Sequence, residues 1–289
     1  MIAEALAYYP QMQRAVEYYT SSPHYRRETL VPIDELERGD GVSGATVILG
    51  RNAHYHHYDL HHIELLRKQG RLPDGQHTTL ALYDWHEDLD HDPRGTPVGN
   101  GTWAYIGLQQ GLYANVYVTG VNPRGWSELN APVWEDDQIR WPTEETLRLL
   151  DRVYLFPFVP AQYTLRLIAG CEPYLAANHS VDRYFVVRDG GFVAVRFKGA
   201  GEAVYLARRE AVVVSIDLDV LRAAELKADT PQGVMTTEAL LNHLDRLGET
   251  GRVNAVLVCG LTESQDAQDE ASLESVARIL AKARELVSS

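Results

Sequence analysis

Cysteine is scarce in this chain of 289 residues, which contains only Cys171 and Cys259. Two cysteines without metal-ligand spacing argue against a disulfide framework and against a thiolate metal site. No window approaches the ~18 uninterrupted apolar residues that a membrane span requires. The first residues include Glu4 rather than a basic segment followed by a long apolar run, so no signal peptide is expected. These absences predict a cytoplasmic protein without a membrane partner.

Basic residues are also in deficit, because 27 Lys and Arg stand against 40 Asp and Glu, giving a formal net charge of −13. This excess of negative charge argues against nucleic acid or an anionic membrane as the main partner. Apolar residues make up 45% of the chain, which is ample for a core. The length fits one large α/β domain or two small ones. Since no linker separates two halves, we predict a single domain over residues 1–289.

Apolar segments of strand length alternate with segments of helical periodicity along most of the chain. This alternation predicts βαβ units, and therefore an α/β fold with a mostly parallel sheet and helices on both faces. The first segment, residues 2–20, is predicted as an amphipathic helix. Buried strands are predicted at 45–50, 79–83, 115–119, 153–156, 211–214 and 253–258.

One stretch departs from this alternation. Two strand-like segments, 183–188 and 192–197, flank Asp189-Gly190-Gly191, which is a strong signal for a β-hairpin. We predict an inserted antiparallel hairpin over about residues 183–198 rather than a separate domain. Such a hairpin could act as a lid near the strand ends, or as a contact in a homo-oligomer.

Two short acidic runs follow predicted strands. They are Asp84-Trp85-His86-Glu87-Asp88 and Ser215-Ile216-Asp217-Leu218-Asp219. Along an extended backbone, side chains at i, i+2 and i+4 point to one side, so each run would present its charged residues together. In parallel sheets ligands bind at the carboxyl ends of strands, where both runs lie. Such a cluster of carboxylates would repel itself unless it were protonated or held cations, so we predict a metal centre.

The two runs resemble the central metal signatures of the arginase/agmatinase (ureohydrolase) superfamily. The segment Gly50-Arg51-Asn52-Ala53-His54 resembles a variant found in uncharacterised arginase-like proteins, as do Gly101-Thr102-Trp103 and Gln232-Gly233-Val234-Met235. The resemblance spans roughly residues 45–265 and excludes the hairpin. It implies an arginase-like fold, two Mn²⁺ ions and a metal-bridging hydroxide that attacks a C–N bond.

Carried over position by position, the resemblance implies two ligand sets with Asp84 and Asp217 shared between them. One ion would be held by His54, Asp84, Asp88 and Asp217, and the other by Asp84, His86, Asp217 and Asp219. A donor set of carboxylates and imidazoles favours Mn²⁺, with Fe²⁺ or Zn²⁺ as alternatives. The choice of His54 competes with four neighbouring histidines, which are His56, His57, His61 and His62.

Substrate-side residues follow the family pattern less well. Asn100 matches a substrate-contacting asparagine, but Thr102 stands where the family has a proton-transfer histidine, and hydroxyls are poor proton shuttles near pH 7. His91 is a candidate replacement for that histidine. Glu263 or Glu87 could pair with a cationic substrate through charge-assisted hydrogen bonds. The family's Asp-Pro after the second signature is replaced by Arg222-Ala223.

The leading hypothesis is therefore a binuclear metal hydrolase acting on a small guanidine, amidine or amide compound. Asp88, Glu263 and His91 are the candidate catalytic residues, and Asn100, Glu87 and Glu263 the candidate substrate contacts. An alternative is a catalytically inactive metal-binding scaffold or sensor of the same fold. A metallophosphoesterase is a weaker alternative, because that family lacks the second acidic run. Deacetylase-like amidohydrolases fit less well because they use one catalytic metal.

Overall fold

The structure is a computed structural model that describes sixteen stretches of the chain. They are residues 5–8, 13–21, 23, 29–32, 46–90, 98–121, 133–135, 138–140, 145, 148–149, 152–156, 183–188, 191–197, 211–250, 252–264 and 268–288. The candidate residue His91 lies outside these described residues.

The described residues contain twelve strands and five α-helices. The strands are β1 (Ala5–Tyr8), β2 (Thr29–Pro32), β3 (Thr46–Leu49), β4 (Thr78–Tyr83), β5 (Asn115–Thr119), β6 (Val133–Glu135), β7 (Gln138–Arg140), β8 (Val153–Phe156), β9 (Arg183–Arg188), β10 (Gly191–Phe197), β11 (Ala211–Asp217) and β12 (Arg252–Cys259). The helices are α1 (Gln13–Ser21), α2 (Tyr58–Lys68), α3 (Trp103–Gln109), α4 (Thr237–Thr250) and α5 (Glu270–Ser288).

Ten of these strands form one sheet in the order β2-β1-β3-β12-β11-β4-β5-β8-β10-β9. Every neighbouring pair is parallel except β10 and β9 at one edge. The neighbours are mostly far apart in sequence, as expected when helices connect parallel strands. The prediction of a mostly parallel α/β sheet is confirmed.

Apolar residues cover both faces of this sheet, because successive strand side chains point to opposite sides. Ile48 packs in one buried cluster with α2 and α3, whereas its neighbours Val47 and Leu49 pack in a second cluster with α1, α4 and α5. The central strands β4 and β11 are buried along their whole length. Both faces of the sheet therefore carry helices, as the continuous apolar strands predicted.

The first predicted element differs from the structure. Only the second half of the segment 2–20 is helical, as α1, while β1 occupies its first half. β1 pairs on both sides, with Ala5 opposite Thr29 of β2 and opposite Thr46 of β3. Sheet pairing between distant segments thus overrides a local helical pattern, which is common for short segments.

The predicted hairpin strands do pair with each other. β9 and β10 are antiparallel, with Gly191 opposite Arg188, and β10 continues the main sheet by pairing with Leu155 and Tyr154 of β8. That this hairpin is an insertion relative to the arginases stays a prediction. Among the described residues, no helix has the length and apolar character needed to cross a membrane.

The order of the central strands places both acidic runs at one edge of the sheet. β4 and β11 are neighbours, with Tyr83 opposite Ile216, so the two runs leave the sheet side by side. β12 lies on the other side of β11, with Cys259 opposite Asp217, and β3 follows. The carboxyl ends of β3, β12, β11 and β4 are thus consecutive, which is where α/β folds build their sites.

Candidate metal centre

The charged side chains of the first acidic run come together because the backbone turns after β4, and not because it stays extended. β4 ends at Tyr83, and Asp84 accepts a hydrogen bond from the backbone N–H of His86 at 2.7 Å. Asp88 has a φ of +53°, in the left-handed region that few residues other than glycine adopt. Its side chain accepts a hydrogen bond from Trp103 Nε1 at 2.6 Å. The predicted convergence is present, but a tight loop and not an extended strand produces it.

The second run behaves in the same way. Asp217 is the last residue of β11 and the N-cap of a 3₁₀ turn, Leu218–Val220, and its Oδ1 accepts the backbone N–H of Asp219 at 3.0 Å. Gly260, after β12, has a φ of +96°, and a Cβ there would lie 2.1 Å from Asp217 Oδ1. The site therefore requires glycine at this position both for conformation and for space.

A histidine from the β3 side completes one group of donors. His56 Nδ1 lies 2.8 Å from Asp88 Oδ2, 3.2 Å from Asp84 Oδ2 and 3.3 Å from Asp217 Oδ2. His56 is 1% exposed. The structure places His56 among the carboxylates, and not His54, which is exposed. The reason is the 3₁₀ turn Ala53–Tyr55, which ends at His56, while Asn52 caps the His54 backbone N–H.

A second group of donors lies beside the first. His86 Nδ1 is 3.0 Å from Asp219 Oδ2 and 3.5 Å from Asp84 Oδ1. Asp219 also accepts hydrogen bonds from the Thr230 hydroxyl at 2.9 Å and from the Trp85 backbone N–H at 3.2 Å. Its side chain is fully buried, whereas that of His86 is 43% exposed. His86 is thus the donor through which solvent reaches the centre.

The two groups share one carboxylate. Ligand atoms of His56, Asp84 and Asp217 lie within 4.8 Å of one another, as do those of Asp84, His86 and Asp219. This division differs from the two sets that the family resemblance implies, because the groups share Asp84 but not Asp217, and the first contains His56 in the place given to His54. The arrangement can hold two cations close together.

Electrostatics at the centre favours positive charge. Burial, followed by the charges of Asp88 and Asp219, raises the pKa of Asp84 to about 7. Burial likewise raises the pKa of Asp217 well above its ordinary value, with Asp219 and Asp84 adding to the effect. Burial lowers the pKa of His86, but its hydrogen bonds to Asp219 and Asp84 outweigh this and bring the pKa to about 11. The shifts arise because several carboxylates are buried close together, an arrangement that a cation would stabilise.

Unpartnered atoms at the same place fit a cation. Among the described residues, neither His56 Nδ1 nor Asp84 Oδ2 makes a contact with hydrogen-bond geometry, although both are buried and lie 3.2 Å from each other. Buried polar atoms are seldom left unpaired in proteins, and a metal ion would satisfy both. The donors are carboxylates and imidazoles, which suit Mn²⁺, Fe²⁺ or Zn²⁺. The nearby Cys259 is not a favourable ligand, because burial raises the pKa of its thiol well above the ordinary value.

The candidate substrate carboxylate already has a partner. Glu263 accepts two hydrogen bonds from the Arg51 guanidinium, Nε to Oε1 at 2.8 Å and Nη2 to Oε2 at 3.2 Å. The guanidinium also lies 3.5 Å from the centre of the Tyr55 ring. Both partners are about one quarter exposed, so the pair lies near the protein surface. Glu263 therefore already pairs with a cationic side chain of this protein.

The remaining candidates take different places. Glu87 is buried, and burial raises its pKa to about 8, so its carboxyl group is largely protonated at neutral pH. Asn100 is exposed in the turn that precedes α3. Thr102 accepts the backbone N–H of Gly99 at 2.8 Å and so stabilises this turn rather than facing the metal centre.

Three residues near the centre were not predicted to have a role there. Trp103 is buried, and its indole N–H donates to Asp88. Ser215 contacts His56 at 2.8 Å, and Asp59 contacts Ser215 at 2.6 Å. Ser215 is the first residue of the second acidic run, and Asp59 lies between His57 and His61. Neither position by itself predicts a contact with a candidate metal ligand.

Comparisons with known proteins agree with this geometry at the level of fold. No family model matches the chain, and no curated protein matches it. Solved structures do. Proclavaminate amidino hydrolase from Streptomyces clavuligerus matches with a TM-score of 0.58 at 14% identity, over 99% of this chain and 92% of that one. Formimidoylglutamase from Bacillus subtilis matches with a TM-score of 0.55 at 13% identity, over 99% and 88%. Agmatine ureohydrolase of Thermoplasma volcanium matches with a TM-score of 0.55 at 12% identity, over 99% and 90%.

The chain therefore has the arginase-like α/β fold of the ureohydrolases, as its motifs predicted. Identities of this order establish the fold and leave the reaction to be argued from the site.

Proposed function

We propose that this protein is a metal-dependent hydrolase that cleaves a C–N bond in a small guanidine, amidine or amide compound. The observation that carries the proposal is the cluster of four carboxylates and two imidazoles at the carboxyl edge of the sheet, divided into two groups that share Asp84. The proposal is supported by solved structures of the same fold whose names describe amidino hydrolases and ureohydrolases.

Two divalent cations, with Mn²⁺ the best fit, would occupy this cluster. The proposed ligands are His56, Asp84, Asp88 and Asp217 for one ion, and Asp84, His86, Asp217 and Asp219 for the other. Bound together, such ions supply a water of lowered pKa as the nucleophile. The protein's contribution is to bury the ligands, fix their orientation and restrict access to one side.

Access determines how a substrate would approach. Five of the six proposed ligands are buried, and only His86 is substantially exposed. The scissile carbon would therefore enter past His86. Glu87 follows His86 in the chain and is buried, so it is a candidate to form a hydrogen bond with an amide or amidine substrate. His91 and Asn100 remain candidates for the same face.

The Arg51–Glu263 pair is the proposed contact for the rest of the substrate. A cationic substrate would have to displace Arg51 from Glu263, so the wild-type protein should bind such cations weakly. Arg51→Gln would release the carboxylate, and the KM for a guanidino substrate should then fall about tenfold, equivalent to about 1.4 kcal/mol, with little change in kcat. An unchanged KM would assign the pair to structural support only.

The experiment that tests the function combines metal content with hydrolysis. The wild-type protein, loaded with Mn²⁺ and freed of excess, is analysed for metal and assayed on a panel of guanidino, amidino and amide compounds. We expect about two ions per chain, release of ammonia or urea from at least one class, and no hydrolysis of a generic phosphate ester. Asp219→Asn should lose metal and activity together, whereas the exposed Asp245→Asn should lose neither.

Other outcomes would redirect the proposal. Two ions without hydrolysis of any substrate in the panel would favour the inactive scaffold or sensor. Phosphate-ester hydrolysis would favour a metallophosphoesterase, and absence of bound metal would refute the centre itself. The single-domain organisation of residues 1–289 belongs to the same proposal, since one sheet draws its strands from Ala5 through Cys259.

A further inference from the structure

We propose that Asp59 and Ser215 are positioning residues that fix the tautomer of His56, and so set the affinity of one of the two metal positions. This inference rests on the metal centre of the proposed function. It concerns residues that are not ligands themselves and that contact the outer side of a ligand.

Buried hydrogen bonds connect the Nε2 side of His56 to Ser215, and Ser215 to Asp59. Its Nε2 lies 2.8 Å from Ser215 Oγ, and Ser215 Oγ lies 2.6 Å from Asp59 Oδ2. The direct separation between His56 Nε2 and Asp59 Oδ2 is 3.6 Å. Ser215 is 0% and Asp59 3% exposed, so these hydrogen bonds form away from water. The other oxygen of Asp59, Oδ1, lies 3.6 Å from His62 Nδ1.

The number of hydrogens available fixes the direction of both hydrogen bonds. The Ser215 hydroxyl has a single hydrogen, and it donates that hydrogen to Asp59 Oδ2. Ser215 Oγ must then accept its second hydrogen bond, and the donor is the Nε2–H of His56. Asp59 thus keeps a proton on Nε2 by acting through Ser215.

The proton on Nε2 determines the state of the other ring nitrogen of His56, Nδ1. A proton fixed on Nε2 leaves Nδ1 as the nitrogen that can lose its hydrogen to a cation and direct a lone pair toward Asp84, Asp88 and Asp217, which lie at 2.8–3.3 Å. That is the tautomer that a metal ion at this position requires. Hydrogen bonding of the second imidazole nitrogen to a carboxylate or a group linked to one is a general way of orienting a metal-binding histidine.

Two substitutions interrupt the hydrogen bonds between His56, Ser215 and Asp59 at different points. Ser215→Ala removes the link and leaves His56 Nε2 without its acceptor. Asp59→Asn is nearly isosteric, but an amide nitrogen facing Ser215 would donate to Oγ and turn the hydroxyl toward His56. The proton of His56 would then move to Nδ1, where it blocks the metal. Neither substitution removes a ligand.

The test is a calorimetric titration of metal-free protein with Mn²⁺, together with metal content after dialysis. We expect the wild type to bind two ions. In Ser215→Ala and in Asp59→Asn the affinity at one position should fall about 10- to 100-fold, which is the usual effect of removing such a partner. After dialysis the variants should retain about one ion per chain.

A matched control separates this effect from the loss of a buried hydroxyl. Ser275 is also buried, and its hydroxyl donates to the backbone carbonyl of Glu225 at 3.0 Å, away from the centre. Ser275→Ala should bind both ions as the wild type does. The melting temperature of each metal-free variant, measured first, shows whether the fold is kept. If one variant does not fold, the other decides.

The outcomes distinguish this inference from the function on which it rests. If the wild type binds two ions and both variants bind them with unchanged affinity, the positioning role is refuted and the metal centre stands. If the wild type binds no ion, the proposed function fails and this inference fails with it. Weakened binding in both variants, with Ser275→Ala unaffected, supports the role.

Discussion

Substituting Asp217 by Asn should change the stability of the metal-free and metal-loaded protein in opposite directions. Asp217 is 2% exposed and belongs to a crowded group of carboxylates. Asn has almost the same shape, and its side-chain oxygen can still accept the backbone N–H of Asp219, so the turn after β11 is preserved. The substitution therefore removes charge with little change in packing.

The structure allows the size of the effect to be worked out. Carboxylate oxygens of Asp84 and Asp217 lie within 4.8 Å of each other. Two unit charges at that separation repel by about 3 kcal/mol at an effective dielectric constant of about 20. The separation is a maximum, which makes the repulsion a minimum for two full charges, whereas protonation of part of the cluster lowers it, so about 3 kcal/mol gives the order of magnitude. At about 2 °C per kcal/mol for a chain of this size, metal-free Asp217→Asn should melt about 6 °C above the wild type.

Adding metal should reverse the order. An ion at a concentration 100 times its Kd stabilises the protein by about 2.7 kcal/mol per site. The wild type should gain this at both positions, whereas Asp217→Asn lacks a charged ligand and should gain much less. In excess Mn²⁺ the wild type should therefore be the more stable of the two.

The assay is differential scanning calorimetry of both proteins, in a chelator and in excess Mn²⁺. Asp245→Asn is the control, because Asp245 is 54% exposed and pairs with Lys282 at the surface. Exposed pairs of this kind contribute about 0–1 kcal/mol, and this one should not respond to metal. If metal-free Asp217→Asn were no more stable than the wild type, or if Mn²⁺ raised both melting temperatures equally, the reasoning from buried charge would be refuted.

Two further predictions concern the same centre. In the native protein the pKa of Asp84 is about 7, against an ordinary value of 3.8, so between these values the folded state binds more protons than the unfolded state. The stability of the metal-free wild type, measured by urea unfolding relative to Asp84→Asn, should therefore be highest near pH 4 and decrease toward about pH 7. Excess Mn²⁺ should remove this dependence, and an increase with pH in the chelator would contradict it. Gly260→Ala should abolish metal binding in a dialysis assay, because the added Cβ would lie 2.1 Å from Asp217 Oδ1. Gly70→Ala is the control, since Gly70 also has a positive φ but has no atom within 4 Å of an added Cβ. Equal metal binding by the two variants would refute the idea that this contact disturbs the metal centre.

Most of the fold could be predicted from local sequence. Buried parallel strands are continuous apolar segments, so β4 and β11 were recognisable without any knowledge of their neighbours. The N-terminal segment was not, because its apolar residues also fit a helical period. Only the presence of β2 and β3 on either side makes Ala5–Tyr8 a strand.

The candidate site, like the fold, could be predicted from the sequence only in part. The two acidic runs identified Asp84, His86, Asp88, Asp217 and Asp219 because each run is local and follows a strand. The choice between His54 and His56 depended on one turn of 3₁₀ helix, which the sequence does not specify. That choice could not be made from spacing, since both histidines lie just after β3.

The sequence by itself determined the chemistry of this protein: an acidic, imidazole-containing donor set at the ends of parallel strands. The tertiary structure decided how that chemistry is supported. Ser215 meets Asp59 across 156 positions of the chain, and Arg51 meets Glu263 across 212. Hydrogen bonds between residues so far apart depend on strand order and register, which local periodicity does not encode. The candidate ligands of the two acidic runs could therefore be predicted from the sequence, whereas the residues that contact them could be found only in the folded structure.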